Sequence, residues 1–192
     1  MVVARDSDYD DFFGYKVESP FILYTKGYSW ENDVFTSKLV KKQIESLIFS
    51  ADLDRIYKDM VDEAFDSIYA KSKLLLNVEL IFRVNGVKLV TGCNGDRFFD
   101  SRRLPEFKWS QFKILVNSKK ELIGRPAFAP TYEDRLCPKR YCYGKLIEAL
   151  SISLISYICR NLAGFGALPK DFVVAAMLDK YSQHIEFNKD PY

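Results

Sequence analysis

The sequence predicts an α/β protein, in which a small parallel sheet near the N-terminus is flanked by helices and followed by a mainly helical part. Two short apolar runs, at residues 2–5 and 21–24, predict two buried strands that follow each other closely and pair in parallel. From residue 29 onwards, apolar residues recur mainly at helical spacing. These observations place the sheet first and the helices around and after it.

Length and composition are those of a globular protein. The chain has 192 residues, of which 48% are apolar and 15% aromatic, so it can bury a sizeable core. Repeats and Gly-Ser linkers are lacking, so we expect one compact unit in two parts, with the sheet in residues 1–50 and a helical addition in residues 51–192 packed on it. The formal charge of +2 does not indicate nucleic-acid binding, and any basic surface must be local.

The cysteine and histidine content argues against a zinc site and against a cysteine nucleophile. Of the four cysteines, only Cys137 and Cys142 lie close together, and this spacing is not typical of zinc ligands. His184 is the only histidine, so no cysteine has an assigned basic partner. We expect reduced, mostly structural cysteines in a cytoplasmic protein.

Membrane association is not expected from this sequence. The longest apolar run, at residues 149–159, is interrupted by serines and is too short to span a bilayer. The first strand also has no secretory signal before it. Both observations favour a cytoplasmic location.

A helix is predicted to begin at Ser29 and to continue to about residue 48. Ser29 is a favourable N-cap, and Asn32 and Asp33 place polar and acidic groups in the first turn, where they oppose the positive end of the helix dipole. Apolar residues then recur along one face as far as Ile48. We therefore expect one continuous amphipathic helix directly after the second strand.

Further helices are predicted downstream. Asp52 is expected to cap a helix whose apolar residues recur as far as Ile68. Residues 74–84 fit a helix or a strand, since a continuous apolar run does not distinguish them, and we favour a helix. Two more helices are expected at residues 146–160 and 171–184.

An Asp-x-Asp-x-Asp ladder of Asp6, Asp8 and Asp10 follows the first strand. Hard cations such as Mg²⁺ bind oxygen ligands, and ligands of open α/β sheets gather at the carboxyl ends of the strands. Aspartates after a strand also commonly form solvated turns, because Asp bonds its own backbone. The ladder alone leaves both interpretations open.

Basic and aromatic residues interleave in the Gly- and Pro-rich segment 85–138, and the basic ones include Arg97, Arg102 and Arg103. This pattern suits stacking on bases beside phosphate contacts, but an ordinary surface over buried aromatics explains it equally well. Lys139, Arg140 and Lys145 lie near the start of a predicted helix, where backbone N–H groups favour anions. The spacing there is not that of a phosphate-binding Walker loop.

Three segments together resemble a known family. They are Asp6-Ser7-Asp8 after the first strand, Tyr28-Ser29-Trp30-Glu31-Asn32 after the second, and Tyr143-Gly144-Lys145-Leu146 at a helix start. The chain is similar in these segments to a Toprim-related domain family, long known as a domain of unknown function and typified by the effector nuclease of PARIS anti-phage defence systems. The specific part of the likeness covers about thirty residues near the N-terminus, and the rest lies in the order of elements.

The resemblance implies a partial Toprim-like fold that binds Mg²⁺, or Mn²⁺, for phosphodiester cleavage of RNA or DNA. Asp6 and Asp8 match the metal-binding Asp-x-Asp pair of the family, and Glu31 matches its next acidic position, which implies a metal ligand and catalytic carboxylate. The basic residues named above would then contact the phosphate backbone. The implied role is a toxic effector in anti-phage defence.

The chain also departs from the family pattern. Toprim domains usually begin with a glutamate-bearing strand before the Asp-x-Asp strand, and here that strand is missing. A missing strand leaves an open sheet edge, which favours a homo-oligomer. The alternative function is therefore a non-catalytic interaction module that docks on a regulatory ATPase, with the apolar helices around Ile152 and Val173 buried in the partner.

Overall fold

The computed structural model describes residues 1–48, 54–90, 95–100, 103–124 and 137–187. Strands β1 (Val3–Arg5) and β2 (Ile22–Tyr24) pair in parallel, with Val3 opposite Ile22. The expected parallel pair is thus confirmed. A parallel connection must return the chain to the starting edge, and the segment between the strands contains the short helix α1 (Asp10–Phe13).

The strands are not buried, contrary to the expectation from their apolar sequences. Val3 is 48% exposed and Leu23 is 61% exposed. Within the described residues the sheet has two strands, so little of either strand face is covered. Parallel sheets usually have both faces covered, and this small sheet is an exception.

The expected single helix from Ser29 to Ile48 is instead two helices, α2 (Trp30–Val34) and α3 (Ser37–Leu47). The chain breaks at Phe35, which is fully buried, and Thr36 then caps α3 by accepting a hydrogen bond from the Leu39 N–H at 3.3 Å. A capping threonine ends one helix and begins the next because its side chain replaces a missing backbone partner. The continuous apolar pattern concealed this break.

Helix α4 (Asp54–Val84) confirms both the helix predicted up to Ile68 and the helical interpretation of residues 74–84. The predicted cap Asp52 lies outside the described residues. Among the described residues, the remaining elements are two 3-10 helices (Gly95–Phe98 and Lys120–Ile123) and the helices α5 (Trp109–Lys119), α6 (Pro138–Tyr141), α7 (Gly144–Leu162) and α8 (Lys170–Phe187).

Helix α7 is the centre of the main hydrophobic core. It packs against α2, α3, α8 and the 3-10 helix Gly95–Phe98, and Leu154 and Ile155 on it are fully buried. Ile152 and Val173, expected to face a partner protein, are also buried in this core. These two side chains are therefore used within the chain itself, although α8 also exposes Phe172 and Leu178.

A second cluster connects the loops after both strands to the helices. Tyr9 and Tyr28 pack with Tyr141 and with Leu76 and Leu80 of α4. The rings of Tyr9 and Tyr28 meet edge to face at 5.0 Å, a favourable aromatic geometry. This cluster fixes the segment that carries Asp8 against the helical part.

Cys137, Cys142 and Cys159 are free thiols, and Cys93 lies outside the described residues. Burial raises the pKa of Cys142 to about 12 and that of Cys159 to about 11, so neither is a ready nucleophile. Among the described helices, none has the length and apolar character needed to cross a membrane.

Candidate functional site

The loops that leave the two strands are joined by hydrogen bonds. The Ser7 N–H donates to Thr25 Oγ1 at 3.0 Å, and the Asp8 N–H donates to the Tyr28 carbonyl at 2.7 Å. The carboxyl ends of parallel strands lie at the same edge of a sheet, and these bonds extend the pairing beyond it. Asp6 and Asp8 are therefore brought next to the start of α2, which carries Glu31.

Asp6 bridges the end of β1 and the start of α2. Its Oδ1 accepts a hydrogen bond from the Trp30 N–H at 3.1 Å. Burial raises the pKa of Asp6, this hydrogen bond lowers it, and the negative charges of Glu31 and Asp8 raise it again, so that the pKa lies above its ordinary value. The carboxylates of Glu31 and Asp8 and the ammonium of Lys145 therefore all lie close enough to Asp6 to shift its pKa.

Asp8 is held in an uncommon backbone conformation by a buried network. Its φ of 44° lies in the left-handed region, which Asp tolerates better than most residues. The Tyr28 hydroxyl forms a hydrogen bond with the Asp8 carboxylate and accepts one from Arg83 at 3.3 Å. Arg83 in turn donates to buried Glu79 at 2.6 Å. The carboxylate of Asp8 therefore has a fixed position relative to α4.

Glu31 is almost completely buried, with 3% of its surface exposed. Its Oε1 lies 2.7 Å from Lys145 Nζ, and its Oε2 accepts a hydrogen bond from the Ser29 hydroxyl. A buried carboxylate needs such partners, because an unpaired one is strongly destabilising. Glu31, expected as a metal ligand and catalytic carboxylate, is therefore already neutralised by an ion pair.

Lys145, expected to contact phosphate, lies between two carboxylates. Besides Glu31 it contacts Glu148 Oε2 at 2.6 Å, and its ammonium lies 5.4 Å from the centre of the Trp30 ring. Burial lowers the pKa of Lys145, but the hydrogen bonds with Glu148 and Glu31 more than offset this and raise the pKa above its ordinary value. Lys145 is thus firmly cationic.

Glycine at position 144 makes this approach of two helices sterically feasible. A Cβ atom on Gly144 would lie 2.0 Å from Ser29 Oγ and 2.8 Å from Glu31 Oε2, well inside van der Waals contact. The absence of a side chain lets the start of α7 contact the start of α2 directly.

The three segments that carry the Toprim resemblance meet at this site. Asn32 Nδ2 donates to the Cys142 carbonyl at 2.9 Å, across 110 residues of sequence. The Tyr28 N–H donates to the Arg140 carbonyl at 2.7 Å. The backbone at the junction of α6 and α7 is therefore hydrogen-bonded to the loop that precedes Glu31.

Two further aspartates lie near the site. Asp10, expected as a turn residue, is the first residue of α1 and pairs with Arg5 at 2.9 Å. Asp33 accepts hydrogen bonds from the N–H groups of Lys26 and Gly27, and burial together with the charge of Asp6 leaves its pKa raised. Sequence patterns identified Asp33 only as a first-turn residue, and its proximity to Asp6 follows from the folded loop.

The fit to a divalent cation is partial. Within the described ranges, no three His, Cys, Asp or Glu side chains are arranged as ready metal ligands. Asp6 and Asp8 remain suitable ligands, because Mg²⁺ often binds one or two carboxylates together with water. The charge of Asp8 also raises the pKa of Asp6, and a bound cation would offset this repulsion. Glu31 is a less suitable metal ligand, because the Lys145 ammonium already neutralises its charge.

The remaining basic residues lie apart from this site or at its border. Arg140 is exposed and forms an ion pair with Asp11, and Lys139 is exposed beside the Tyr69 ring. Arg97 and Arg103 are exposed, whereas Arg102 lies outside the described residues. Their role in nucleic-acid contact stays a prediction.

The aromatic side chains of the basic and aromatic segment are mainly buried. Phe98, Phe99, Phe107 and Phe112 belong to the core, and the rings of Phe98 and Phe107 stack at 5.6 Å. Buried rings are not available to stack on bases. Their burial agrees with an ordinary surface over buried aromatic side chains as the reason for the interleaved basic and aromatic residues.

Sequence patterns did not identify the partners of Glu31. Glu148 stands in a strongly apolar helix three residues after Lys145, and a lone acid in such a helix indicates a buried pair. This signal could have pointed to the Lys145–Glu148 contact, but not to Glu31, which is distant in sequence.

Comparisons with family models, curated proteins and solved structures give no match to this chain. The resemblance to Toprim-related domains therefore rests on the residues quoted for it.

Proposed function

We propose that this protein is a Mg²⁺-dependent nuclease of Toprim type that cleaves phosphodiester bonds in nucleic acid. The supporting observation is that Asp6 is hydrogen-bonded to the start of α2 through the Trp30 N–H, where its pKa is raised by burial and by the charges of Glu31 and Asp8, against the opposing charge of Lys145. Repulsion between carboxylates is relieved by a divalent cation, and Asp6 and Asp8 would hold it. Mg²⁺, or Mn²⁺, would neutralise charge on the scissile phosphate and lower the pKa of a bound water.

Glu31 is the carboxylate proposed to accept the proton of the attacking water. Lys145 holds Glu31 Oε1 at 2.7 Å, so this oxygen becomes free only when the ammonium moves to another anion. A substrate phosphate is such an anion, and Lys145 is 42% exposed and can reach it. In this proposal, substrate binding activates Glu31 by removing its cationic partner.

The substrate is RNA or DNA, and the resemblance suggests an effector role in anti-phage defence. Lys139 and Arg140 are exposed next to the junction of α6 and α7, close to the start of α2. Cations at this border suit the phosphate backbone on either side of the cleaved bond. Arg97, Arg102 and Arg103 are further proposed contacts.

Cleavage assays with matched variants test this proposal. Labelled RNA and DNA are incubated with the parent chain, Asp6→Asn, Asp8→Asn and the control Asp59→Asn, each with Mg²⁺, Mn²⁺ or EDTA. Asp59 is an exposed aspartate of α4 and lies outside the site. We expect cleavage by the parent and the control only, and only with metal. Equal activity in all four proteins would assign the cleavage to other residues or to a contaminant.

A second candidate function is a non-catalytic module that docks on a regulatory ATPase. The observation in its favour is the exposed apolar sheet, in which Phe21 and Leu23 are each 61% exposed. Exposed apolar side chains beside an open strand edge favour pairing with another protein. A homo-oligomer would use the same surface.

Leu23→Glu tests whether the sheet surface carries the association, and Leu122→Glu is the control at an exposed leucine of a 3-10 helix. Light scattering of the purified chain reports a homo-oligomer, and titration with a purified candidate ATPase reports docking. We expect Leu23→Glu, but not the control, to abolish whichever association is seen. Association that both variants retain would exclude the sheet surface.

A further inference from the structure

The C-terminal half of α7 lines an open cleft. It has a volume of about 380 Å³ and lies between the 3-10 helix Gly95–Phe98, α7 and the start of α8. Small-molecule sites usually occupy about 300–1,000 Å³. The cleft therefore has room for a compact organic molecule.

The walls of the cleft combine apolar and polar groups. Phe99, Ile152 and Leu168 supply apolar surface. Ser153 and Ser156 are one turn apart on α7 and supply two hydroxyl groups. This mixture is typical of sites for a ligand with a flat apolar body and a polar end.

The charges that line the cleft favour an anion. Arg160 and Lys170 are the lining cations, and Asp96 is the lining acid, so the lining residues carry one net positive charge. Arg160 is one turn beyond Ser156 on α7, so its guanidinium and the two hydroxyls come from the same helix. A guanidinium beside an ammonium and hydroxyl groups is a set of donors that suits a phosphate group.

Lys170 is able to change partners. Its Nζ lies 3.2 Å from Asp96 Oδ2 and 3.6 Å from Glu148 Oε1, and the side chain is 41% exposed. The pair with Asp96 is exposed on both sides and contributes little stability, and Glu148 keeps its shorter contact with Lys145 when Lys170 moves. A phosphate that enters the cleft can therefore attract the ammonium at little cost.

We propose that this cleft binds a small phosphate ester with a flat apolar body, the size of a mononucleotide. Phe99, Ile152 and Leu168 contact the apolar body, and Ser153 and Ser156 donate hydrogen bonds to polar groups. Arg160 and Lys170 bind the phosphate. Lys170 lies 3.6 Å from Glu148 Oε1, and Glu148 Oε2 contacts Lys145, so the cleft borders the ion pair of Glu31. None of the residues that line it is a proposed metal ligand.

Calorimetric titration with AMP, adenosine and inorganic phosphate tests the site. The variants are Lys170→Met and Arg160→Gln, which remove a cation, and Ala167→Trp, which fills the cleft from an exposed loop position. Lys180→Met is the matched control, because it removes a half-buried lysine of α8 that contacts Ser46 rather than the cleft. Melting curves without ligand confirm that each variant is folded.

We expect AMP to bind the parent and Lys180→Met equally, and each cleft variant to bind at least about tenfold more weakly, because a charge-assisted hydrogen bond is lost or the space is filled. Adenosine and phosphate alone should each bind more weakly than AMP. Three results would overturn the proposal: no AMP binding by the parent at millimolar concentration, equal binding by all variants, or tighter binding of a short oligonucleotide than of AMP.

Discussion

Lys145 Nζ lies 2.7 Å from Oε1 of Glu31, and this contact joins the start of α7 to the short helix that follows β2. A cation at a helix N-terminus is normally unfavourable, because it opposes the helix dipole. Here Glu31 and Glu148 surround the ammonium with two carboxylates and reverse that effect. The three side chains therefore depend on one another.

Replacing Lys145 by Met should destabilise the fold. The substitution leaves the buried carboxylate of Glu31 without a cation and leaves Glu148 with only the longer contact to Lys170 at 3.6 Å. We expect a loss of about 2 kcal/mol, less than for a fully buried pair because Lys145 is partly exposed and solvent screens the charges. Urea unfolding measures this, and Lys73→Met on the exposed side of α4 is the control. Equal midpoints for the two variants would contradict a structural role for the pair.

Gly144→Ala should destabilise the fold by more than the addition of a single methyl group suggests. The added Cβ would overlap Ser29 Oγ and approach Glu31 Oε2, so α2 and α7 must separate. Overpacking of this kind costs about 1–3 kcal/mol. Gly166→Ala is the matched control, because a Cβ there meets nothing within 4 Å. Thermal unfolding of both proteins gives the comparison, and a control as unstable as Gly144→Ala would refute the steric argument.

The local patterns of the sequence predicted most of the elements. The pair of strands followed from two short apolar runs. A helix was favoured for residues 74–84 and is confirmed, although the continuous apolar run there does not distinguish a helix from a strand. The break at Phe35 was missed, since Phe35 and Leu39 are both buried and the apolar pattern continues across it. Periodicity records which side chains are buried, but it does not show where the backbone changes direction.

The site was predictable only in its acidic half. Asp6 and Asp8 follow a strand and Glu31 opens the next helix, so the sequence itself suggested that they approach one another. The pairing of Glu31 with Lys145 depends on the packing of α7 against α2, a contact between residues distant in sequence. The same holds for Tyr28 and Arg83, whose hydrogen bond fixes Asp8.

Asp6→Asn should stabilise the protein at neutral pH in the absence of divalent cations. The pKa of Asp6 is raised on folding, so the ionised carboxylate lowers native stability once the pH exceeds the folded pKa. Asn keeps an oxygen for the Trp30 N–H. We expect a rise in melting temperature of about 1–2 °C at pH 7, reduced because Asp6 is largely solvated.

The prediction is checked by how the difference in melting temperature between Asp6→Asn and the parent varies with pH. Below the ordinary Asp pKa of 3.8, the Asp6 carboxyl is protonated in both the folded and the unfolded state. The difference in stability between the parent and Asp6→Asn should then vanish. Added Mg²⁺ should reverse the order at pH 7, because a cation that binds the native parent stabilises it and the variant binds it less well. Melting curves with and without Mg²⁺ measure both effects, and Asp59→Asn serves as the control. A variant that is less stable than the parent without metal at pH 7 would refute this charge argument.

Tyr28→Phe should loosen Asp8 while it leaves the core packing intact. The Tyr28 hydroxyl accepts a hydrogen bond from Arg83 and bonds the Asp8 carboxylate, and its removal leaves both groups short of a partner. The expected loss is about 1–2 kcal/mol, the usual cost of unsatisfied polar groups of this kind. Burial and the charge of Asp8 raise the pKa of Tyr28, so the hydroxyl stays protonated and the loss should not vary between pH 6 and about pH 9. Urea unfolding at several pH values measures it, with Tyr15→Phe, at an exposed tyrosine, expected to match the parent. If Tyr28→Phe also matches the parent, then the network does not fix Asp8.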